Sequence, residues 1–331
     1  MHNAFRIILT LLVATMMVAC QAPIERLDKS FTECASCPES LASAICWTID
    51  GKAYIAGGRD VRGEQRCDMW EYDPALDRWT HQGEMPIGKR VKGSACVVGD
   101  EVYIGLGFAG RVERDSSYLR DWWRYTPATG DWTRLADYPA ANTDGAVCFT
   151  DGSNIYVCYG NTRYFERTVF VYSIADNRWT QMADNTRSKA YPKRALGCVG
   201  ARCQGRFFLG TGFNQNSLNQ WVELTPSDDG DIWQKRQPLP GKGRNSATAI
   251  ATDDYIYVAG GRYYGGTVTD GMVHDDVLRY SPERDEWVYY GTLPCGQTEN
   301  MISFTLGGKI YIGLGNDRSN QPINKLYCVE E

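Results

Sequence analysis

Gly51-Lys52-Ala53-Tyr54-Ile55-Ala56-Gly57-Gly58, followed by Asp68-Met69-Trp70-Glu71-Tyr72-Asp73-Pro74-Ala75-Leu76-Asp77-Arg78-Trp79, is the stretch that decides how this chain folds. A turn at Asp50-Gly51 opens a β-branched and aromatic run that ends in a glycine knot. A third strand, Trp70-Glu71-Tyr72, runs into the turn Asp73-Pro74-Ala75, and a strand carrying Trp79 closes the unit. These are strand and hairpin signals throughout. The unit then recurs about every 50 residues, with knots at 105–107, 158–160, 210–212, 259–261 and 313–315 and tryptophans at Trp132, Trp179, Trp233 and Trp287. Tyr precedes Trp by seven residues in Tyr72 to Trp79, Tyr125 to Trp132, Tyr172 to Trp179 and Tyr280 to Trp287.

One four-stranded sheet of this length cannot bury its own faces. Stacking such sheets radially around an axis can, and it leaves only short, protected edges. The knots then sit on the crowded inner strands, where a backbone without side chains fits. A sandwich with accidental similarity among its hairpins is the alternative, and six recurrences in register argue against it.

With its glycine doublet, Tyr and Trp, the unit resembles the kelch repeat, above all the bacterial form that Gly51 to Gly58 and Asp68 to Trp79 follow. The resemblance covers nearly all of the mature chain. It implies an all-β, six-bladed kelch-type β-propeller. It says little of activity, because kelch propellers serve both as enzymes and as binding scaffolds. The blade units fall at about 41–86, 87–139, 140–186, 187–240, 241–294 and 295–331. The sixth lacks a Trp strand, so an N-terminal strand is expected to close it, with Ile24-Glu25-Arg26-Leu27 placed to do so. A five-bladed ring with a loose partial unit is the other arrangement weighed.

Residues 1–19 read as a signal peptide: Arg6, then an apolar run from Ile8 to Ala19, too short to span a membrane comfortably. Met17-Val18-Ala19-Cys20 resembles the lipobox of bacterial lipoproteins, with Cys20 as the lipidation site. Residues 20–40 then hold the lipidated Cys, a linker and the closing strand. The expectation is an exported chain anchored by acyl groups, in the outer membrane and facing either the periplasm or the outside.

The other cysteines divide. Cys46, Cys96, Cys148 and Cys198 fall in the first strands and read as small buried hydrophobes. Cys34 and Cys37 read as a structural disulfide, suited to an exported protein. A formal charge of -5, with no Lys/Arg block, argues against nucleic acid. The expected state is a monomeric propeller.

Function should sit on the face that carries the long loops between the second and third strands. Two rings of residues are expected to line the channel mouth there. One follows the knots: Arg59, Phe108, Asn161, Phe213, Arg262 and Asn316. The other enters the inner strands: Lys92, Asp144, Arg194, Arg244 and Asn300, with Glu299 adjacent. Loop residues Arg163 and Tyr263 add to the candidate binding set. Aromatic faces stack on sugar C–H surfaces, and Arg reads carboxylates, so an acidic carbohydrate fits. A protein interface would use the same residue types.

Some kelch propellers resemble galactose oxidase, which needs a copper site with two His ligands. Past the signal peptide only His81 and His274 remain, on different blades, so that chemistry is not expected. No other cofactor and no metal is implied. Sialic acid mutarotases are exported six-bladed kelch propellers, and Val102-Tyr103-Ile104-Gly105-Leu106-Gly107 is similar to theirs. That resemblance would place acid/base work on Glu299 or Asp144 beside Arg244, Arg194 or Lys92. With no nucleophile–base pair visible, the leading expectation is a non-catalytic envelope lipoprotein that binds a glycan or a partner protein. The mutarotase is the alternative.

Overall fold

In the computed structural model, which describes residues 24–110, 115–140, 143–160, 168–183, 192–227, 232–265 and 271–330, hydrogen-bonded ladders group into six four-stranded antiparallel blades. The first has Ile45–Ile49 innermost, then Lys52–Ala56, Asp68–Asp73 and Arg78–Glu84. The innermost strands of the next five are Ser94–Val98, Val147–Thr150, Leu196–Cys203, Thr248–Ala251 and Ile302–Leu306. Each inner strand contacts the next, and the sixth contacts the first, so the ring is closed. The chain is therefore a six-bladed propeller.

The N-terminus closes it, with different residues from those expected. Thr32–Cys34 pairs antiparallel with Leu326–Glu330 and is the outer strand of the sixth blade. Arg26–Lys29 instead runs parallel to Glu286–Thr292 and adds a fifth strand to the fifth blade. Side chains explain the division. The Arg26 guanidinium lies 3.7 Å from the Tyr289 ring centroid, and Leu27 and Phe31 join the cluster around Tyr257 and Tyr290. Cys34 joins the cluster shared by the sixth and first blades.

Hydrophobic clusters fill the seams between blades. Between sixth and first, Ile302, Phe304, Tyr311 and Leu326 face Ala53, Ile55, Tyr72 and Trp79. Each such large side chain contributes about 2 kcal/mol by leaving water.

A polar latch also crosses three seams, and it explains the Tyr and Trp spacing. Asp285 Oδ1 accepts from the Tyr280 hydroxyl (2.7 Å) and from Gln237 N–H (2.9 Å), while Trp287 Nε1 donates to Gln237 O (2.8 Å). Asn177 does the same with Tyr172, Ala136 and Trp179. Asp77 does it with Tyr72, Ala35 and Trp79, which fastens the segment just after the closing strand. The three acceptor residues share a left-handed backbone, with φ of 45°, 48° and 54° for Asp77, Asn177 and Asp285.

Cys34 and Cys37 are separate thiols, not the expected disulfide. Cys37 is buried, its N–H bound to Asn324 O, and burial pushes its thiol up to about 12. Cys34 instead faces Cys328 within the seam between the sixth and first blades.

Candidate functional site at the channel mouth

Backbone geometry builds the mouth. At the entry to each inner strand one residue takes a left-handed φ: Ser43 59°, Lys92 52°, Gly145 61°, Gly197 63°, Ser246 54° and Asn300 55°. These residues hand hydrogen bonds around the axis. Lys92 N–H donates to Ser43 O (2.9 Å), Gly145 to Lys92 O (2.7 Å), Ser246 to Gly197 O (3.0 Å), Asn300 to Ser246 O (2.8 Å) and Ser43 to Asn300 O (3.0 Å). A second set lies outside it, where the last glycine of five knots donates to the next blade. Gly58 N–H reaches Arg90 O (2.9 Å), Gly107 reaches Thr143 O (2.8 Å) and Gly212 reaches Arg244 O (2.7 Å). Gly107 shows why glycine is required there: its φ is +100°, and a Cβ would stand 2.6 Å from Val91 O.

The residue after each knot pairs with the one just before the left-handed position. Arg59 pairs with Ala42, Phe108 with Val91, Phe213 with Leu196, Arg262 with Asn245 and Asn316 with Glu299. So Arg59, Phe108, Phe213, Arg262 and Asn316 do form one circle at the mouth. Asn161, Arg163 and Cys20 lie outside the described residues.

The entry ring departs from expectation. Lys92 and Asn300 hold the left-handed position, and Asp144 and Glu299 stand one residue before it. Arg244 stands two before and is turned inward. It is 1% exposed and spans Asp276, with Nη1 2.7 Å from Oδ1 and Nη2 3.1 Å from Oδ2, and it also donates to Gly260 O. Arg90, which sequence reasoning passed over, is its counterpart, buried on Asp121 and Leu106 O. Both arginines brace a glycine knot against a third strand and are not open to a ligand. Arg194 is exposed, two residues before Leu196. Glu299 is engaged as well, its Oε1 accepting from Arg262 Nε (2.8 Å) and Nη2 (2.6 Å), and this pairing raises the Arg262 pKa above its ordinary value.

What the fold does bring together is a cleft of ≈ 340 Å3 lined by Arg59, Lys92, Phe108, Tyr118, Asp144, Asn300, Asn316 and Asn320. Phe108 meets Tyr118 edge-on, with centroids 5.2 Å apart. Among the described residues, neither Arg59 nor Lys92 has an ion-pair partner. Beneath the cleft the central channel, ≈ 290 Å3, is walled by small residues, among them Ala44, Ala95, Ala146, Gly197 and Ala247. Across the mouth, Phe213 stacks edge-on with Tyr264 (5.9 Å), and the Lys242 ammonium lies 4.9 Å from the Tyr263 ring. Tyr118, a residue of the long second-blade loop expected to favour a carbohydrate, thus joins Phe108 in the cleft wall. His81 sits on the outer strand of the first blade, bound to Asp68 (3.1 Å), and His274 is buried by the third strand of the fifth. Burial, with Arg244 nearby, lowers the His274 pKa to about 4, against the pull of Asp276.

Fold and mouth together define a β-propeller of glycine-knotted, Tyr- and Trp-latched blades with a polar cleft over its channel. The chain belongs to the kelch-repeat family: residues 36–212 match the KLHDC2/KLHL20/DRC7 Kelch-repeats domain, and residues 243–294 match the Kelch motif. It is similar to Kelch-like protein terF of Aspergillus terreus, 26% identical over 262 residues, which are 72% of this chain and 54% of that protein. It is also similar to N-acetylneuraminate epimerase of Escherichia coli O9:H4, 26% identical over 230 residues, 66% of this chain and 52% of that one. The chain thus spans about half the length of these curated relatives. The solved structure of YjhT superposes with a TM-score of 0.74 at 16% identity, covering 90% of this chain and 97% of that one, which shows the shared fold. The epimerase similarity overturns the expectation of a non-catalytic binding protein, and with it the leaning against an enzyme.

Proposed function

We propose that the protein is a sugar epimerase of the mutarotase kind, acting on N-acetylneuraminate or a close sialic acid by acid/base catalysis. The carrying observation is that one cleft holds two cations with no ion-pair partner among the described residues, Arg59 and Lys92, beside the carboxylate of Asp144. A sialic acid in its ring form carries a carboxylate and a hydroxyl on the same anomeric carbon. Lys92 and Arg59 suit the carboxylate. Asn300 and Asn316 offer amides to hydroxyls, and Phe108 with Tyr118 offers an apolar wall to ring C–H groups.

The reaction asks for little more. Asp144 takes the proton of the anomeric hydroxyl as the bond from the anomeric carbon to the ring oxygen breaks. The same proton passes to the ring oxygen, leaving an open-chain keto acid. Rotation about the carboxyl-bearing end and the reverse sequence close the ring on the other face, so atoms and charge balance. General acid–base help of this sort is worth roughly 10²–10⁴ in rate. The similarity to the N-acetylneuraminate epimerases supports the substrate class.

Anomer exchange followed by NMR tests the reading. Wild type should accelerate exchange of N-acetylneuraminate, Asp144→Asn should lose about 10²-fold or more of that acceleration, and Lys92→Gln should chiefly raise KM. An unaccelerated wild type removes the proposal. Export and lipidation at Cys20 stand as a separate proposal resting on Met17-Val18-Ala19-Cys20, and acyl labelling that survives Cys20→Ala would refute it.

A further inference from the structure

A second cleft opens beside the mouth, and Arg59 lines both. It is the larger, at ≈ 460 Å3, and its wall holds Arg59, Arg62 and Lys89 against one carboxylate, Glu64. That leaves a local surplus of positive charge on a chain whose formal charge is -5. Among the described residues, the other carboxylates of this corner are already engaged. Asp60 Oδ1 accepts the N–H groups of Arg62 and Glu64, both at 2.9 Å, and Asp60 Oδ2 lies 3.7 Å from Arg66. Arg66 in turn holds Glu39 and Asp68, each at 2.9 Å. Arg62 and Lys89 are exposed and take no part in blade packing. The walls are braced across two blades: Gln65 Nε2 donates to Gly110 O (3.1 Å) and Gly110 N–H donates to Gln65 Oε1 (2.9 Å).

We propose that this groove is a second anion subsite, and that the preferred ligand is an acidic oligosaccharide with its reducing-end unit in the mouth and the next acidic unit in the groove. The proposal rests on reading the mouth as an acidic-sugar site. The polarity follows from chemistry: only the reducing-end unit keeps a free anomeric hydroxyl, so that unit must occupy the reacting position. The adjoining sugar hangs from one of its other hydroxyls and leads outward. Its carboxylate then meets Arg62 and Lys89, while Arg59 stands between the two units.

Calorimetric titration of the whole protein with N-acetylneuraminate and with its reducing 2,8-linked dimer tests this. Wild type should bind the dimer about fivefold to tenfold more tightly at low salt, the scale of two exposed ion pairs. The preference should shrink with added salt. The double variant Arg62→Ala, Lys89→Ala should bind the dimer no better than the monomer, with monomer affinity and monomer anomer exchange unchanged. A wild type without preference for the dimer overturns the subsite, as does a double variant that keeps the preference, and in both cases monomer turnover leaves the mouth reading intact. If wild type binds neither sugar, the mouth reading falls and the subsite with it.

Discussion

Replacing Asp285 by Ala should unfasten the latch between the fourth and fifth blades. The wild-type carboxylate accepts from the Tyr280 hydroxyl at 2.7 Å and from Gln237 N–H at 2.9 Å. Tyr280 is 0% exposed, and its hydroxyl would lose its acceptor, which costs about 1–3 kcal/mol. Ala must also hold the left-handed φ of 54°, at a further cost of about 1–2 kcal/mol. Together the loss is about 3 kcal/mol, or roughly 6 °C in Tm for a chain of this size. Asp285→Asn should cost under about 1 kcal/mol, because Asn177 does the same work in the third blade with a neutral amide oxygen. Asp285→Gly should recover the backbone part of the Ala loss. Thermal unfolding of the three variants by circular dichroism reads the order. An Asn variant as damaged as the Ala variant would refute the reasoning, since charge and not acceptor geometry would then hold the latch. An Ala variant within 1 °C of wild type would refute it outright.

Two further outcomes follow from buried groups. Arg244→Ala strands the Asp276 carboxylate and should cost about 3–5 kcal/mol, read as a large fall in urea midpoint, whereas Lys92→Gln should leave that midpoint in place. His274 has a folded pKa of about 4 against an ordinary value of 6.5, so the unfolded chain binds the extra proton first. Stability is then full above about pH 6.5 and falls by about 3 kcal/mol as pH drops toward 4; His274→Gln should flatten that slope in urea titrations between pH 7 and 4.5.

The blades were legible in the sequence because their determinants are chemically narrow. Only Gly tolerates the φ of the knot's last residue beside a neighbouring carbonyl, and Trp spans from its strand to the previous blade's backbone. The latch acceptor is legible too, as Asp or Asn two residues before Trp79, Trp179 and Trp287. The entry ring was harder. Its left-handed position is filled by Ser43, Lys92, Gly145, Gly197, Ser246 and Asn300, side chains with nothing in common, because the position serves a circle of backbone bonds. Aligning the units by charge therefore put Arg244 in the ring, two residues early, when its real likeness is to Arg90. The closing strand was misjudged for a related reason. Both Ile24-Glu25-Arg26-Leu27 and Thr32–Cys34 are short and mixed, and what separates them is the packing of Leu27 and Cys34 into different seams.

That backbone circle also explains where chemistry can reside. Six nearly equivalent blades give an axial site no preferred side, so any asymmetry must come from the side chains carried at equivalent positions. On the side of the fifth and sixth blades, Arg262 is neutralised by Glu299 at 2.6 Å, and the pair presents little net field to the channel. On the side of the first and second blades, Arg59 and Lys92 have no such partner among the described residues. An anionic ligand of the proposed kind would be drawn off the axis, toward Arg59 and Lys92. Asp144 is the carboxylate that lines the same cleft, one blade further on. It stands at the position equivalent to Glu299, one residue before the left-handed turn. One equivalent position therefore carries a structural ion pair in the sixth blade and the proposed acid/base group in the third. The residue that the preceding blade places after its knot differs between the two: Arg262 beside Glu299, and Phe108 in the cleft with Asp144.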